Sequence, residues 1–444
     1  MKRTLFTLLL LVALSVASND AFAQRKGSKD KAPDSGKVVV VDDEACGCEL
    51  VFIDGIQTTE RDGLFGFKRE DGTVIVEPTY KYVDQFHGNW CLVFHDYGRC
   101  GLIDRNGNVV VPVEYEEVNY PTDGMIRVRK NGLYGFLDTT GKVMVDCQYR
   151  TASGYSEGLA VVIIDFDSDN MGYGYIDKSG NMAIAATHEY AYPFSEGYAI
   201  VKDYDRFGMI DHSGREVLTC KYAELTYMVD GHFFAVDPIT EKAALFNNKF
   251  KQITGFDYDK VTAYQGGYYT VERGGRVTFL DLKGKERCGF YDEVSGFFDG
   301  YSMVVRDGKY GIINERGKVI LPIEYDNSGY RSMEYIFSEN VAMVEKNGKY
   351  GFIDKRGKIV VPIIYESAQH CTEGLIPVQK QGLWGFVDKN GEVVCDFEFD
   401  AASYFEWGRA EVVYQGEVFK INPDGQCVKN CANYPKHIKF RIKD

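Results

Sequence analysis

A glycine returns along this chain at nearly even intervals, and that interval limits the possible folds more than any other feature. The clearest copy of the surrounding pattern reads Lys349-Tyr350-Gly351-Phe352-Ile353-Asp354-Lys355-Arg356-Gly357-Lys358-Ile359-Val360-Val361-Pro362. The glycine recurs as Gly66, Gly101, Gly135, Gly174, Gly208, Gly311, Gly351 and Gly385. Ala244, Thr278 and Phe419 hold the same slot in three degenerate copies, and successive slots lie 33 to 40 residues apart. Repetition on this scale predicts a stack of small supersecondary units, each burying its apolar face against its neighbours.

Each unit reads as three short strands. Six residues after the slot stands a second glycine (Gly72, Gly107, Gly141 and so on), failing only at Phe250. Asp104, Asp138, Asp177, Asp211, Asp281, Asp354 and Asp388 precede that glycine by three. Asp at i with Gly at i+3 marks a type I turn closed by a left-handed residue, which is a hairpin with a bulge. Pairs such as Asn131-Gly132, Asp307-Gly308, Asn347-Gly348 and Gln381-Gly382 mark a tighter hairpin upstream. Fourteen residues past the slot comes an aromatic: Tyr80, Tyr115, Tyr149, Tyr222, Tyr258, Tyr325, Tyr365 or Phe399, with Tyr190 and Tyr291 slightly out of phase. A ring at fixed phase predicts a continuous buried seam through the array. A ladder of sugar-binding rings is the alternative. Links such as Tyr155-Ser156-Glu157-Gly158 and Phe194-Ser195-Glu196-Gly197 then lead to the next unit.

This pattern resembles the WG (KWG) repeat family of bacteria over roughly Leu64 to Gly425, although only Trp384 keeps the name-giving tryptophan. The resemblance implies tandem β-units with a binding or structural role, and it carries no catalytic residues to transfer. Copies six and seven, around Ala243-Ala244 and Val277-Thr278, depart furthest and are expected to be distorted or to form a junction.

The ends differ from the array. Residues 1–23 have Lys2 and Arg3, an apolar run from Leu5 to Val16, and Ala21-Phe22-Ala23, the layout of a secretory signal peptide cleaved after Ala23. Residues 24–37 are polar and are expected to be a disordered tether, with the β-array over 38–435. Residues 436–444 alternate basic and apolar side chains, an edge-strand pattern. The mature chain contains no other long apolar stretch, so no transmembrane segment is expected and the protein should be periplasmic or extracellular. A formal charge of -14 argues against nucleic acid as partner.

The segments that could carry chemistry have plainer readings. Gly154-Tyr155-Ser156-Glu157-Gly158 matches G-x-S-x-G, but a nucleophile elbow needs a following helix and Ser156 leads into a strand. Asp165 to Asn170 starts like a calcium loop and then lacks its glycine and distal glutamate. The seven histidines fall at scattered phases, without metal-ligand spacing. Eleven cysteines offer two local disulfide candidates, Cys46 with Cys48 and Cys427 with Cys431, and a metal site joining the two pairs is a weaker alternative. Cys91, Cys100 and Cys395 read as small core residues.

The sequence therefore predicts an all-β tandem array of short antiparallel meanders, open and solenoid-like, with one or two propeller-like rings as the alternative. Its expected function is that of an exported, non-catalytic interaction or scaffold module for a protein or envelope partner. Glycan binding is the alternative. No catalytic, cofactor or metal residues are expected.

Overall fold

The computed structural model describes residues 38–43, 48–96, 98–167, 170–326, 336–429 and 431–441. They form eleven antiparallel sheets of three to five strands, none closed on itself, with no α-helix among the described residues. No helix among them is long and apolar enough to cross a membrane. The chain divides into two compact units. One holds the residues up to Pro238 together with Asn247–Lys251, and the other holds Ile239–Phe246 and the chain from Gln252 onward. The division falls inside copy six, where the repeat is most degenerate.

One copy shows how the sequence builds a unit. Met125–Lys130, Leu133–Asp138 and Val143–Tyr149 pair in order, and the two-residue strand Glu117–Val118 from the preceding link adds a fourth. Asn131 (φ 54) and Gly132 (φ 78) make the first turn, both left-handed, as a two-residue hairpin twisting with its strands requires. The second turn closes through Gly141 N–H to the Asp138 carbonyl at 3.0 Å. Asp138 Oδ1 then accepts the N–H groups of Thr140 and Lys142 at 2.8 and 3.0 Å. Asp104, Asp177, Asp211, Asp281, Asp354 and Asp388 cap their turns likewise, and Asn247 and Asn314 substitute with an amide oxygen.

The slot glycine serves a different purpose from the turn glycines. It lies mid-strand without a positive φ, where the third strand bulges across it. A Cβ on Gly135 would stand 2.6 Å from the Val145 carbonyl oxygen, and one on Gly351 2.7 Å from that of Val361. The pairing moves from Tyr134↔Tyr149 to Phe136↔Val145 across this point, so the bulge fills the space a side chain would need. Where a side chain is present, the third strand suffers. After Ala244 and Thr278 only isolated bridges remain, Ala243↔Tyr258 and Phe246↔Gln252 in one copy and Val277↔Tyr291 and Leu280↔Glu286 in the other. The Thr278 hydroxyl also donates to the Cys288 carbonyl at 3.2 Å. After Phe419 the third strand shortens to Cys427–Lys429.

The phase-fourteen rings are buried, from Tyr80 to Phe399, while Tyr190 is half-buried. They do not form one running seam. Apart from Tyr190, which pairs with Lys202, each pairs with the residue before its slot, as Tyr350↔Tyr365 and Trp384↔Phe399 do. The core is divided into clusters that bridge successive units. One joins Phe136, Val145 and Tyr149 to Val162 and Ile176; another joins Phe352 and Tyr365 to Ile376 and Val387.

Candidate functional site

The links between units form the recurring surface feature. Each ends in a two-residue hairpin tip, with Ser156 and Leu159 exchanging backbone hydrogen bonds of 2.9 and 3.1 Å around Glu157 (φ 53) and Gly158 (φ 87). The first tip residue is acidic at Asp123, Glu157, Glu196, Asp230, Asp299, Glu339 and Glu373, all at positive φ. Its carboxylate reaches the next tip. Gly158 N–H donates to Asp123 at 2.6 Å, Gly197 to Glu157 at 3.0 Å and Gly231 to Glu196 at 2.9 Å. In the second unit Gly374 donates to Glu339 at 3.0 Å and Gly408 to Glu373 at 2.8 Å. A basic side chain beside the turn-capping aspartate often joins: Lys178 on Asp123 at 3.0 Å, His212 on Glu157 at 3.3 Å, Lys389 on Glu339 at 3.2 Å. Lys355 pairs with Asp299 in the same manner.

A second series of carboxylates caps the upstream hairpins. Glu366, the residue after Tyr365, accepts Gly382 N–H at 2.8 Å, and Asp400 accepts Gly416 N–H at 3.0 Å. That hydrogen bond holds the Glu366 carboxyl below its ordinary range, with Lys349 adding to the effect. The recurring acids therefore fasten unit to unit. The repeated Asp/Glu-Gly dipeptides are the sequence signal for this ladder.

Some of the positions where copies differ face solvent, whereas Ala244, Thr278 and Phe419 are buried. Trp407 takes the acidic tip position at the last tip of the ladder, at φ 54 and 91% exposed. Phe250 takes a turn-glycine position at φ 57. Four half-buried tyrosines form a run in copies four and five, with centroids 4.6 Å apart for Tyr173–Tyr190, 4.9 Å for Tyr190–Tyr192 and 5.8 Å for Tyr192–Tyr227.

Ser156 donates to the Phe194 carbonyl of the next link at 2.7 Å, and Ser338 does the same to Cys371 at 2.6 Å, so both serve the inter-unit ladder. The calcium-loop segment lies in the hairpin of Leu159–Asp167 with Asn170–Asp177, and its tip, residues 168–169, lies outside the described residues. Histidines pair locally: His188 with Asp203 at 2.8 Å, His437 with Glu398 at 2.7 Å, and His212 stacks on Phe194 at 4.2 Å. Cys427 and Cys431 are disulfide-bonded, whereas the Cys46 and Cys48 thiols lie outside the described side chains. Cys91, Cys100 and Cys395 are buried and free, and desolvation pushes the Cys91 and Cys395 thiols up to about 12. Residues 436–441 are not a strand. They pack along Val393–Phe399, burying Ile438, with Arg441 N–H donating to the Val394 carbonyl at 2.8 Å and Arg441 paired to Asp396.

This geometry defines a class: an all-β tandem-repeat protein whose recurring polar residues bind unit to unit. The WG containing repeat matches the chain at residues 65–97, 101–134, 134–165, 173–206, 207–236, 310–350, 350–384 and 384–416. The chain belongs to the WG-repeat family. The eight matches are the eight copies with glycine in the slot; the copies of Ala244, Thr278 and Phe419 are not matched. No curated relative matches the chain. Among solved structures, a eukaryotic initiation factor aligns with 66% of this chain and 92% of its own at 11% identity and a TM-score of 0.34. BamB from Moraxella catarrhalis aligns with 68% of this chain and 96% of its own at 12% identity and a TM-score of 0.32. PorZ, a surface component of the type-IX secretion system of Porphyromonas gingivalis, aligns with 77% of this chain and 50% of its own at 10% identity and a TM-score of 0.25.

Proposed function

We propose that the chain is an exported, non-catalytic interaction module that presents a rigid repeat surface to a protein or envelope partner. One observation carries this reading. Many of the recurring side chains are engaged within the array, capping turns, fastening tips or filling the core, which leaves exposed departures such as Trp407 and Glu216 to contact a partner. Among the described residues no group of three or more histidines, cysteines or carboxylates is gathered as metal ligands would be. The test is crosslinking mass spectrometry on the chain in its native envelope, followed by reconstitution with the purified partner. Saturable binding without substrate turnover is expected. Failure of the purified components to bind, or turnover by the isolated chain, would remove the reading.

A glycan partner is the second reading. The buried phase-fourteen rings speak against it, and the Tyr173, Tyr190, Tyr192 and Tyr227 run speaks for it. Binding on a glycan array that disappears in Tyr192→Ala would support the sugar; an array without hits would exclude it.

A further inference from the structure

The turn glycines have a second duty that shows where the array opens. From Gly107 onward they are laid on the segment that follows the second turn of the preceding copy, so a Cβ on Gly391 would meet the Val360 carbonyl oxygen at 2.8 Å and one on Gly284 would meet Ile253 at 2.7 Å. Gly107, Gly141, Gly180, Gly214, Gly317 and Gly357 are seated in the same way. Two seams depart from this arrangement. Between copies ten and eleven, Gly425 faces the ring of Phe440, because the C-terminal segment has entered the seam. Between copies five and six, Phe250 replaces the glycine altogether.

A groove lies at each of these two seams. The first, about 210 Å³, flanks the C-terminal segment between Cys395, Asp396 and Glu398 on one side and His437, Ile438, Lys439 and Arg441 on the other. Its occupant is an extended peptide with alternating basic and apolar side chains. The backbone of that peptide donates from Arg441 to the carbonyl of Val394, nine residues past the slot; the Arg441 guanidinium pairs with Asp396, the His437 ring lies 2.7 Å from Glu398, and Phe440 packs 5.2 Å from Phe386.

The second groove is about 530 Å³ and is lined by Glu196, Gly197, Tyr198, Asp211, Arg215, Glu216, Val217 and Phe250. Phe250 cannot lie flat on the preceding strand as glycine does, and its ring turns onto Tyr198 at 5.1 Å and Phe233 at 6.0 Å. The residue nine past the slot, equivalent to Val394, is here Val217, and it lines the groove. Three carboxylates against one guanidinium give the groove a negative lining. Arg215 is held by Asp211 at 2.9 Å, and Glu216 is exposed.

We infer that the seam between copies five and six is a docking groove for an extended segment of a partner protein with alternating basic and apolar side chains. The segment's cations face Glu216 and Glu196, an apolar side chain rests on Phe250 and Tyr198, and its backbone follows the strand that carries Val217. This rests on the reading of the chain as a protein-interaction module and supplies the chemistry of the partner.

The probe is a labelled peptide with the sequence of residues 435–441, titrated into the full chain. Saturable binding is expected, weakened at least tenfold by Glu216→Lys, abolished by Phe250→Gly and unchanged by Asp396→Lys. Phe250→Gly installs the residue that the other turns carry and should melt no lower than the parent chain, so its loss of binding is not unfolding. The inference is overturned by the absence of saturable binding, by binding that survives both Phe250→Gly and Glu216→Lys, or by binding lost only in Asp396→Lys, which would mean exchange with the chain's own C-terminal segment. A crosslinked partner that still binds Phe250→Gly would remove the groove while leaving the interaction module standing.

Discussion

At the residue scale, one missing atom decides the shape of each unit. Gly135 needs no special φ; it needs the absence of a Cβ, because the Val145 carbonyl lies where the methyl would be. Gly135→Ala should therefore cost about 1–3 kcal/mol, the usual range for overpacking, measured by denaturant unfolding of the chain. Gly158 has open space around it, and its alanine variant would suffer only from the positive φ. The thiols are a separate test. Burial pushes Cys91, Cys220, Cys371 and Cys395 up to about 12. In native protein at pH 8 these four should resist alkylation, and all should label after unfolding; rapid native labelling would contradict their packing. The slot itself was legible from sequence as a spacing, but its steric reason was not, since the clashing carbonyl belongs to a bulge that only pairing reveals.

At the element scale, carboxylates do the joining. Hydrogen bonds hold several of them below their ordinary range: Ser213 hydroxyl and backbone lower Asp211 to about 2, Thr140 lowers Asp138, and the Asn181 N–H leads the effect on Asp177. A carboxyl lowered by folding stabilises the native state above its unfolded value near 3.8, and that contribution is lost as pH falls through the folded value. Thermal stability should thus decline between about pH 4 and about pH 2, and a flat profile over that window would contradict the capping geometry. In the tip ladder, Glu339→Ala removes the acceptor for Gly374 and the partner of Lys389, and should cost about 1 kcal/mol. Hydrogen exchange should then quicken at Gly374 and remain unchanged in distant copies. The turn types were readable because Asp-x-x-Gly and Asn-Gly carry their own mechanism. The ladder was not, because a carboxylate in one copy binds an amide about 35 residues on, as Glu339 does Gly374. The expected continuous aromatic seam failed for a related reason: all the phase-fourteen rings but Tyr190 pair with the residue before their own slot, as Tyr365 does with Tyr350.

At the scale of the whole molecule, the eleven copies are not equal. Eight keep the glycine and the full third strand, and the weakest stretch coincides with the division of the chain inside copy six. The sequence marked copies six and seven as the place of distortion because Ala244 and Thr278 break the slot. The C-terminal segment was misread as an edge strand, since basic-apolar alternation equally suits a peptide laid against acids on an existing strand. Export is tested directly by the mature N-terminus, which should be Gln24 by mass spectrometry of the secreted chain; an intact Met1 would contradict it. The central claim is that recurring residues build the array and departures from the repeat contact the partner. Hydroxyl-radical footprinting of the chain, free and bound to its purified partner, measures this most directly. Protection concentrated at departures such as Phe250, Glu216 and Trp407 is the predicted result. Protection spread evenly over the equivalent positions of every copy would contradict it.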